Sequence, residues 1–274
     1  MIDATPRTAE AYLGPCRFGQ SRPQLFLVEN IGKCAVKFQQ NPQGERALTN
    51  ELVGFGVAGA LGIEHPRVGL VEVGADVLPH DGGLFVQDDD GRQIRFQPGM
   101  HFYSQWLEPV NRVGPEDLLG MTVQNPHMFA GVVVLDTLLD NWDRKPANLN
   151  LLLHRERDRQ YLKLIDLGMA FGGSLWTIGN FRDPSLLPLT VPLRYADVLP
   201  QYLSAIRVEQ DFERYLPKLS NVTHEAVRAL LDLVPDAWQI TEEERSSLLR
   251  FIIQRVEALP RYFEQRLQKE VWWQ

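Results

Sequence analysis

Cysteine is scarce in this sequence: Cys16 and Cys34 are the only two in 274 residues. That excludes a disulfide framework and fits a reducing compartment, so a cytoplasmic location is expected. Long hydrophobic runs are missing as well. None approaches the roughly 20 apolar residues that cross a bilayer, and the opening MIDATPRTAEAYLGP lacks the charged-then-apolar build of a secretory signal. Histidines are scattered, at positions 65, 80, 101, 127, 154 and 224, with no H-x-x-x-H pair and no cysteine at ligand spacing, which argues against zinc. Basic charge is in deficit, 28 Lys and Arg against 35 Asp and Glu for a net −7. A surface built to grip nucleic acid or anionic lipid is therefore not indicated. Lysine is rarest at the front of the chain, where Lys33 and Lys37 are the only two before residue 145. Apolar residues at 44% and charged residues at 23% are those of a globular protein.

The order of patterns along the chain is strands first and helices later. Gln24–Glu29 and Ile31–Phe38 are β-prone runs close enough to form a hairpin. From Glu45 to Leu61 the period turns helical, with Leu48, Leu52, Phe55 and Gly59 on one stripe, Gly62 as a stop and Pro66 beyond it. Val68–Val73 reads as a strand. Leu84–Gln87 and Gln93–Phe96 flank an Asp-Gly turn whose aspartates, Asp88 to Asp90, read as a solvated hairpin tip. Residues 97–120, with Pro98, Gly99, Pro109, Gly114 and Pro115, read as a loop-rich lobe boundary. Asn125-Pro126 predicts an N-cap for a helix through Met128, Val132, Leu135 and Leu139, apolar on more than one face and so buried. Further helices are expected over Val208–Leu216 and Thr223–Leu233, and a capping box at Thr241-Glu242-Glu243-Glu244 opens one to about Leu259. The expected fold class is α+β and bilobal, with a β-rich lobe over 1–105 and a mainly helical lobe over 106–274.

One constellation carries chemistry. After the buried helix comes Asp140-Asn141-Trp142-Asp143-Arg144-Lys145-Pro146-Ala147-Asn148, then a hairpin of Leu149–His154 and Tyr161–Ile165, then Asp166-Leu167-Gly168. Phosphoryl transfer needs a carboxylate beside the attacking hydroxyl and oxygen ligands that hold magnesium against nucleotide phosphates. Asp143 and Asn148 have the D-x-x-x-x-N spacing of such a base and metal ligand, and Asp166 before Leu-Gly sits where a second metal ligand belongs. On the strand ending Ala35-Val36-Lys37-Phe38, Lys37 shares a face with Ala35 and could reach phosphates. Glu51 lies about 40° from Phe55 and about 60° from Leu48 on its helix, at the border of the apolar stripe, where a carboxylate wants a cation. Lys37 could be that cation. Asp136 and Asp140, one turn apart, read as a helix polar face and a C-terminal cap.

Together these stretches resemble the HipA-like kinases, bacterial members of the protein-kinase and phosphoinositide-kinase-like superfamily. The resemblance rests on Ala35–Phe38, Asn41-Pro42-Gln43-Gly44, Asn50-Glu51-Leu52, Leu61–Pro66, Asp140–Asn148 and Ile165–Phe171, and covers about residues 14–175. It implies ATP as donor, Mg²⁺ as cofactor, and phosphoserine or phosphothreonine as product. It implies Lys37 and Glu51 at the phosphates, Asp143 as general base, and Asn148 and Asp166 as magnesium ligands. No G-x-G-x-x-G precedes Lys37; the segment Gly14 to Ser21 is the nearest phosphate-covering loop, which places Gly19, Gln20 and Ser21 at the nucleotide. Ser21 is either an ordinary loop serine or, as in some relatives, a self-phosphorylation site. The acceptor is a protein or small-molecule hydroxyl, and a regulatory protein partner is compatible with the resemblance, including the antitoxin of a toxin–antitoxin pair. Alternatives are a small-molecule kinase of the same superfamily and a non-catalytic nucleotide-binding scaffold. Phe263, Trp272 and Trp273 could dock a partner or pack back on the domain.

Overall fold

A computed structural model describes residues 2–16, 19–79, 83–88, 90–108, 111–112, 123–144, 148–181 and 208–269. The first part of the chain contributes β1 (Asp3–Pro15), β2 (Gln24–Val28), β3 (Gly32–Lys37), α1 (Ala47–Ala60), β4 (Val68–Val73), β5 (Leu84–Gln87), β6 (Gln93–Phe96) and β7 (Gly99–Gln105). Five of these close into a barrel in the order β1-β2-β3-β7-β4, while β5 and β6 form a separate hairpin. β1 closes the barrel. It runs antiparallel to β2 from Ala9 to Pro15 and parallel to β4 from Asp3 to Thr8. Its pattern does not announce a strand, and the parallel register slips between Asp3 and Arg7, where Pro6 has no N–H to give the ladder.

The strand faces divide the lobe into an inside and an outside. Cys34, Val36, Phe38, Phe26 and Tyr103 fill the barrel, where Phe38 stacks on Phe96 with ring centroids 4.4 Å apart. Ala35 and Lys37 face outward, as the alternation requires, and lie opposite Ser104 and Phe102 of β7. β7 corrects the loop-rich reading of residues 97–120. Gly99, at φ +140°, and Pro98 mark the start of a strand held between β3 and β4, and its neighbours lie far off in sequence. Residues 113–120 lie outside the described residues.

α1 lies across the outer face of β4 and β7, and Ala47 through Ala58 are all buried. So broad an apolar surface is possible because the opposite side of the helix meets the later helices. Gly62 ends the helix at φ +69°, with Ile63 N–H donating to Ala58 O at 2.9 Å and Gly62 N–H to Gly59 O at 3.0 Å.

The later part begins with the two-residue strand β8 (Asn111–Arg112), then α2 (Met128–Leu139), β9 (Leu151–Glu156) and β10 (Arg159–Leu164). β10, β9 and β8 form a three-stranded sheet in that order. All twelve residues of α2 are buried. Asn125 is not its side-chain cap: Asn125 Oδ1 accepts the Leu162 N–H at 2.8 Å and Nδ2 donates to Leu162 O at 3.0 Å, which pins β10, and His127 occupies the cap position. Asp140 ends α2 in the left-handed region, φ +51°. Arg255 satisfies the carbonyls left over, donating to Thr137 O at 2.6 Å and Leu138 O at 2.9 Å.

The remaining helices are α3 (Ile178–Phe181), α4 (Val208–Glu213), α5 (His224–Asp232) and α6 (Glu242–Lys269), with 3₁₀ turns at Leu216–Asn221 and Asp236–Trp238. Thr223 caps α5 by accepting the Ala226 N–H at 3.1 Å. The capping box forms: Thr241 Oγ1 accepts Glu244 N–H at 3.2 Å, and Glu244 Oε2 accepts Thr241 N–H at 2.8 Å. α6 runs past the expected end near Leu259 and through Pro260. Pro260 is exposed, and Phe263, one turn beyond Leu259, is buried against Phe212 at 5.2 Å, so continued packing offsets the missing hydrogen bond. Phe263 thus packs back on the domain; Trp272 and Trp273 lie outside the described residues. The chain is of mixed α and β type. One apolar core fills the barrel, and a larger one unites α1 with α2, β9, β10 and the C-terminal helices. Among the described residues no helix is long and apolar enough to cross a membrane.

Candidate active site

The site starts from the alternation of β3. Because Cys34 and Val36 point into the barrel, Lys37 must leave it on the side of α1 and the Ile165–Gly168 segment. Its ammonium is bonded to Glu51 Oε1 of α1 and to Asp166 Oδ1 at 2.8 Å. Glu51 is fully buried rather than reaching for water, and its second oxygen accepts the Leu167 N–H at 3.1 Å. Asp166 sits at φ +59°, the conformation that short polar residues tolerate, and its Oδ1 also takes the Gly168 N–H at 3.4 Å. Three residues separated by 14 and 129 positions thus meet at one nitrogen.

The charges follow from that geometry. Burial alone would lower the Lys37 ammonium, but the Asp166 and Glu51 carboxylates reverse this and raise it. Burial pushes the Glu51 carboxyl up to about 7, with Lys37 opposing and the Asp166 charge adding to the rise. Burial acts upward on Asp166 too, yet Lys37 overcomes it and holds that carboxyl below the ordinary range. Asp166 therefore stays ionised, a hard oxygen donor suited to magnesium.

This cluster closes one end of a cleft that encloses about 750 Å³ including its open mouth. Ala35, Phe55, Pro66, Phe102, Leu152 and Ile165 line its apolar part, with Ser104 to Leu107 along one side. The loop from β1 to β2 borders it with Cys16, Gly19 and Ser21. That loop is shaped by Cys16 N–H donating to Pro23 O at 3.0 Å and Arg22 N–H to Gly19 O at 3.1 Å, with Gly19 at φ +98°. Ser21 is 1% exposed, unlike an ordinary loop serine. Gln20 departs from the expected set: it is exposed and lines a neighbouring depression with Gln43, Asp88, Asp90 and Met169.

Asp143 and Asn148 lie on the loop entering β9, outside the lining of the cleft, and residues 145–147 between them lie outside the described residues. Asp143 N–H donates to Asn141 Oδ1 at 3.4 Å, and Asn150 Nδ2 donates to Asp143 Oδ2 at 3.2 Å. Asn150 O in turn accepts the Ile165 N–H at 3.0 Å, so the loop of Asp143 is tied to the residue before Asp166. Sequence reasoning gives no role to Asn150, Arg144 or Asn50. For Asn150 a signal exists in its φ of +50°, since asparagine is a common left-handed residue. For the other two the partners lie across the fold. Among the described residues no group of three or more His, Cys, Asp or Glu side chains forms a metal cluster.

No family model matches the chain, and no curated protein matches it either. Among solved structures it is similar to the Helicobacter pylori proinflammatory kinase CtkA, at 13% identity and TM-score 0.49, covering 85% of this chain and 89% of that one. It is also similar to a double mutant of the Mycobacterium tuberculosis PknI kinase domain, at 16% identity and TM-score 0.28, covering 93% of this chain and all of that one.

Proposed function

We propose that the chain is an ATP- and Mg²⁺-dependent phosphotransferase acting on an alcohol group, and that the resemblance to HipA-like serine/threonine kinases describes its chemistry. The single observation behind this is the Lys37 ammonium held by both Glu51 and Asp166 at the end of an apolar cleft. A bare structural ion pair needs neither the cleft nor the second carboxylate. The base of the nucleotide fits between Ala35 and Leu152, with its phosphates toward Lys37, Gly19 and Ser21. The cleft then separates a lobe of residues 1–105 from one of residues 106–274.

Asp166 and Asn148 offer the oxygen donors that magnesium takes beside phosphates. When bound, the metal neutralises charge on the transferring phosphoryl group. Asp143 accepts the proton of the acceptor hydroxyl while its oxygen bonds to the γ-phosphorus and the bond to the β–γ bridging oxygen breaks, releasing ADP. Asn150 Nδ2, donating to Asp143 Oδ2, orients that carboxylate for the task.

Transfer from γ-labelled ATP with Mg²⁺, followed by mass spectrometry of the protein and of candidate acceptors, tests the reading. Asp143→Ala should lower transfer by about 100-fold or more while nucleotide affinity stays within about twofold. Asp166→Asn should weaken the magnesium dependence of nucleotide binding. Equal loss of binding and transfer in Asp143→Ala, or unchanged metal dependence in Asp166→Asn, would remove that residue from the site.

A further inference from the structure

Next to Glu51 on α1 stands Asn50, fully buried and fully used. Its Nδ2 donates to Gly168 O at 2.8 Å, Ala170 O at 2.9 Å and Gly173 O at 2.9 Å. Its Oδ1 accepts the indole N–H of Trp176 at 2.8 Å. Glu51 meanwhile holds the Leu167 N–H. Two consecutive residues of one helix thus grip residues 167–176, the stretch that follows Asp166, by its N–H on one side and by three carbonyls on the other.

The geometry points to Asn50 as a positioning residue that makes α1 and the Asp166 segment one mechanical unit, so that the Lys37–Glu51 pair and the placement of Asp166 are gained or lost together. This rests on the phosphotransferase reading and deepens it by naming a residue that positions its site. An amide carries only two hydrogens, so three acceptors at 2.8–2.9 Å can share them only while the three carbonyls converge. Moving α1 away would take the Asn50 donor from the buried Gly168 carbonyl and leave Ala170 O with the Gly173 N–H alone, and straightening the segment would strand Asn50 inside the core. Each movement is thus penalised by the other element. By linkage, whatever binds at Asp166 must also favour the inward position of α1.

The test uses the full chain, with Asn50→Leu to keep the volume and remove all four bonds, and Trp176→Phe to remove only the bond that Asn50 accepts. Hydrogen exchange in the absence of nucleotide should show amides 167–173 losing protection by about tenfold in Asn50→Leu, and by less in Trp176→Phe, with α1 itself unchanged. ATP binding without metal should match wild type, while the tightening that Mg²⁺ produces is lost. A merely structural role would instead lower melting temperature and both affinities in parallel, or leave the magnesium response intact, and either result overturns the clamp. If the wild-type chain shows no magnesium-dependent ATP binding, the phosphotransferase reading fails, and the exchange of residues 167–173 alone decides whether Asn50 couples the two elements. Should Asn50→Leu not fold, Trp176→Phe carries both readouts, and no change in either sinks the proposal.

Discussion

Arg144 is the largest fully buried side chain described, and it ties the loop that carries Asp143 to the helix before it and to the entry of the strand after it. Its guanidinium meets Asp136 in a fork, Nε to Oδ2 at 2.5 Å and Nη2 to Oδ1 at 3.3 Å, while Nη1 donates to Leu149 O at 2.8 Å and Asn150 O at 3.1 Å. Asn141 adds a bond to Asp136 Oδ1 at 2.8 Å. Arg144→Met leaves Asp136 buried with its charge unpaired, so unfolding free energy should fall by about 3–5 kcal/mol. Arg144→Lys should not restore it, because an ammonium cannot present the fork. Asp136→Leu combined with Arg144→Met should recover part of the loss, and denaturant unfolding of these three variants and of Asp136→Leu alone measures all of this. An additive double mutant would show that the pair is not the source of the cost. At this scale the motifs singled out Lys37, Glu51 and Asp166, and the fold brings these three side chains together. Asp136 was not legible in the sequence, because its partner lies eight residues on and beyond the end of the helix, outside any i, i+4 pattern, and a buried aspartate looks like a polar-face one until the neighbours are in place.

The elements divide along the same line. Hairpins β2–β3, β5–β6 and β9–β10 and the ends of α1 are readable because each strand's partner, or each helix's stop, is adjacent in sequence. β1 and β7 are not, since their strandhood comes from neighbours tens of residues away, and prolines inside or beside them point to loops. The barrel they complete encloses a buried histidine, His101, whose ring lies tilted against Phe38 at 4.2 Å between centroids. Its Nδ1 accepts the Gln39 N–H at 3.2 Å and Nε2 lies 3.0 Å from Gln97 O, so the neutral ring with its proton on Nε2 satisfies both. Burial, partly opposed by the bond to Gln97, lowers its pKa to about 4. A depressed histidine contributes stability that is fully present above its unfolded pKa near 6.5 and is lost as pH falls toward about 4, a loss of about 3 kcal/mol. His101→Gln should flatten that part of the pH dependence. Unfolding free energies of the two proteins between pH 7 and pH 4 check it, and parallel curves would clear His101 of the effect.

Across the whole molecule β7 and α1 are tied to the C-terminal helices by polar contacts. Trp238 Nε1 donates to Met100 O at 2.9 Å, Arg46 pairs with Glu244 at 2.6 Å, and Asn221 Nδ2 reaches Ala60 O at 3.2 Å. The chain should therefore unfold in one transition despite its two cores, with far-UV dichroism and tryptophan fluorescence coinciding. Trp238→Phe should move that entire transition by on the order of 1 kcal/mol; a variant that splits it would mean the barrel melts independently. None of these ties is written in a local pattern, which is why a two-part division at residue 105 is natural from the sequence while the packing of α1 with α2 and the C-terminal helices is not. Closure of the barrel also governs how the molecule meets others. β1 bridges the barrel with one half on each neighbour, Asp3–Thr8 along β4 and Ala9–Pro15 along β2. The β1–β4 seam is held by few paired residues and slips beside Pro6, so within the barrel that seam is where an incoming strand would first find open main chain and where aggregation would be seeded.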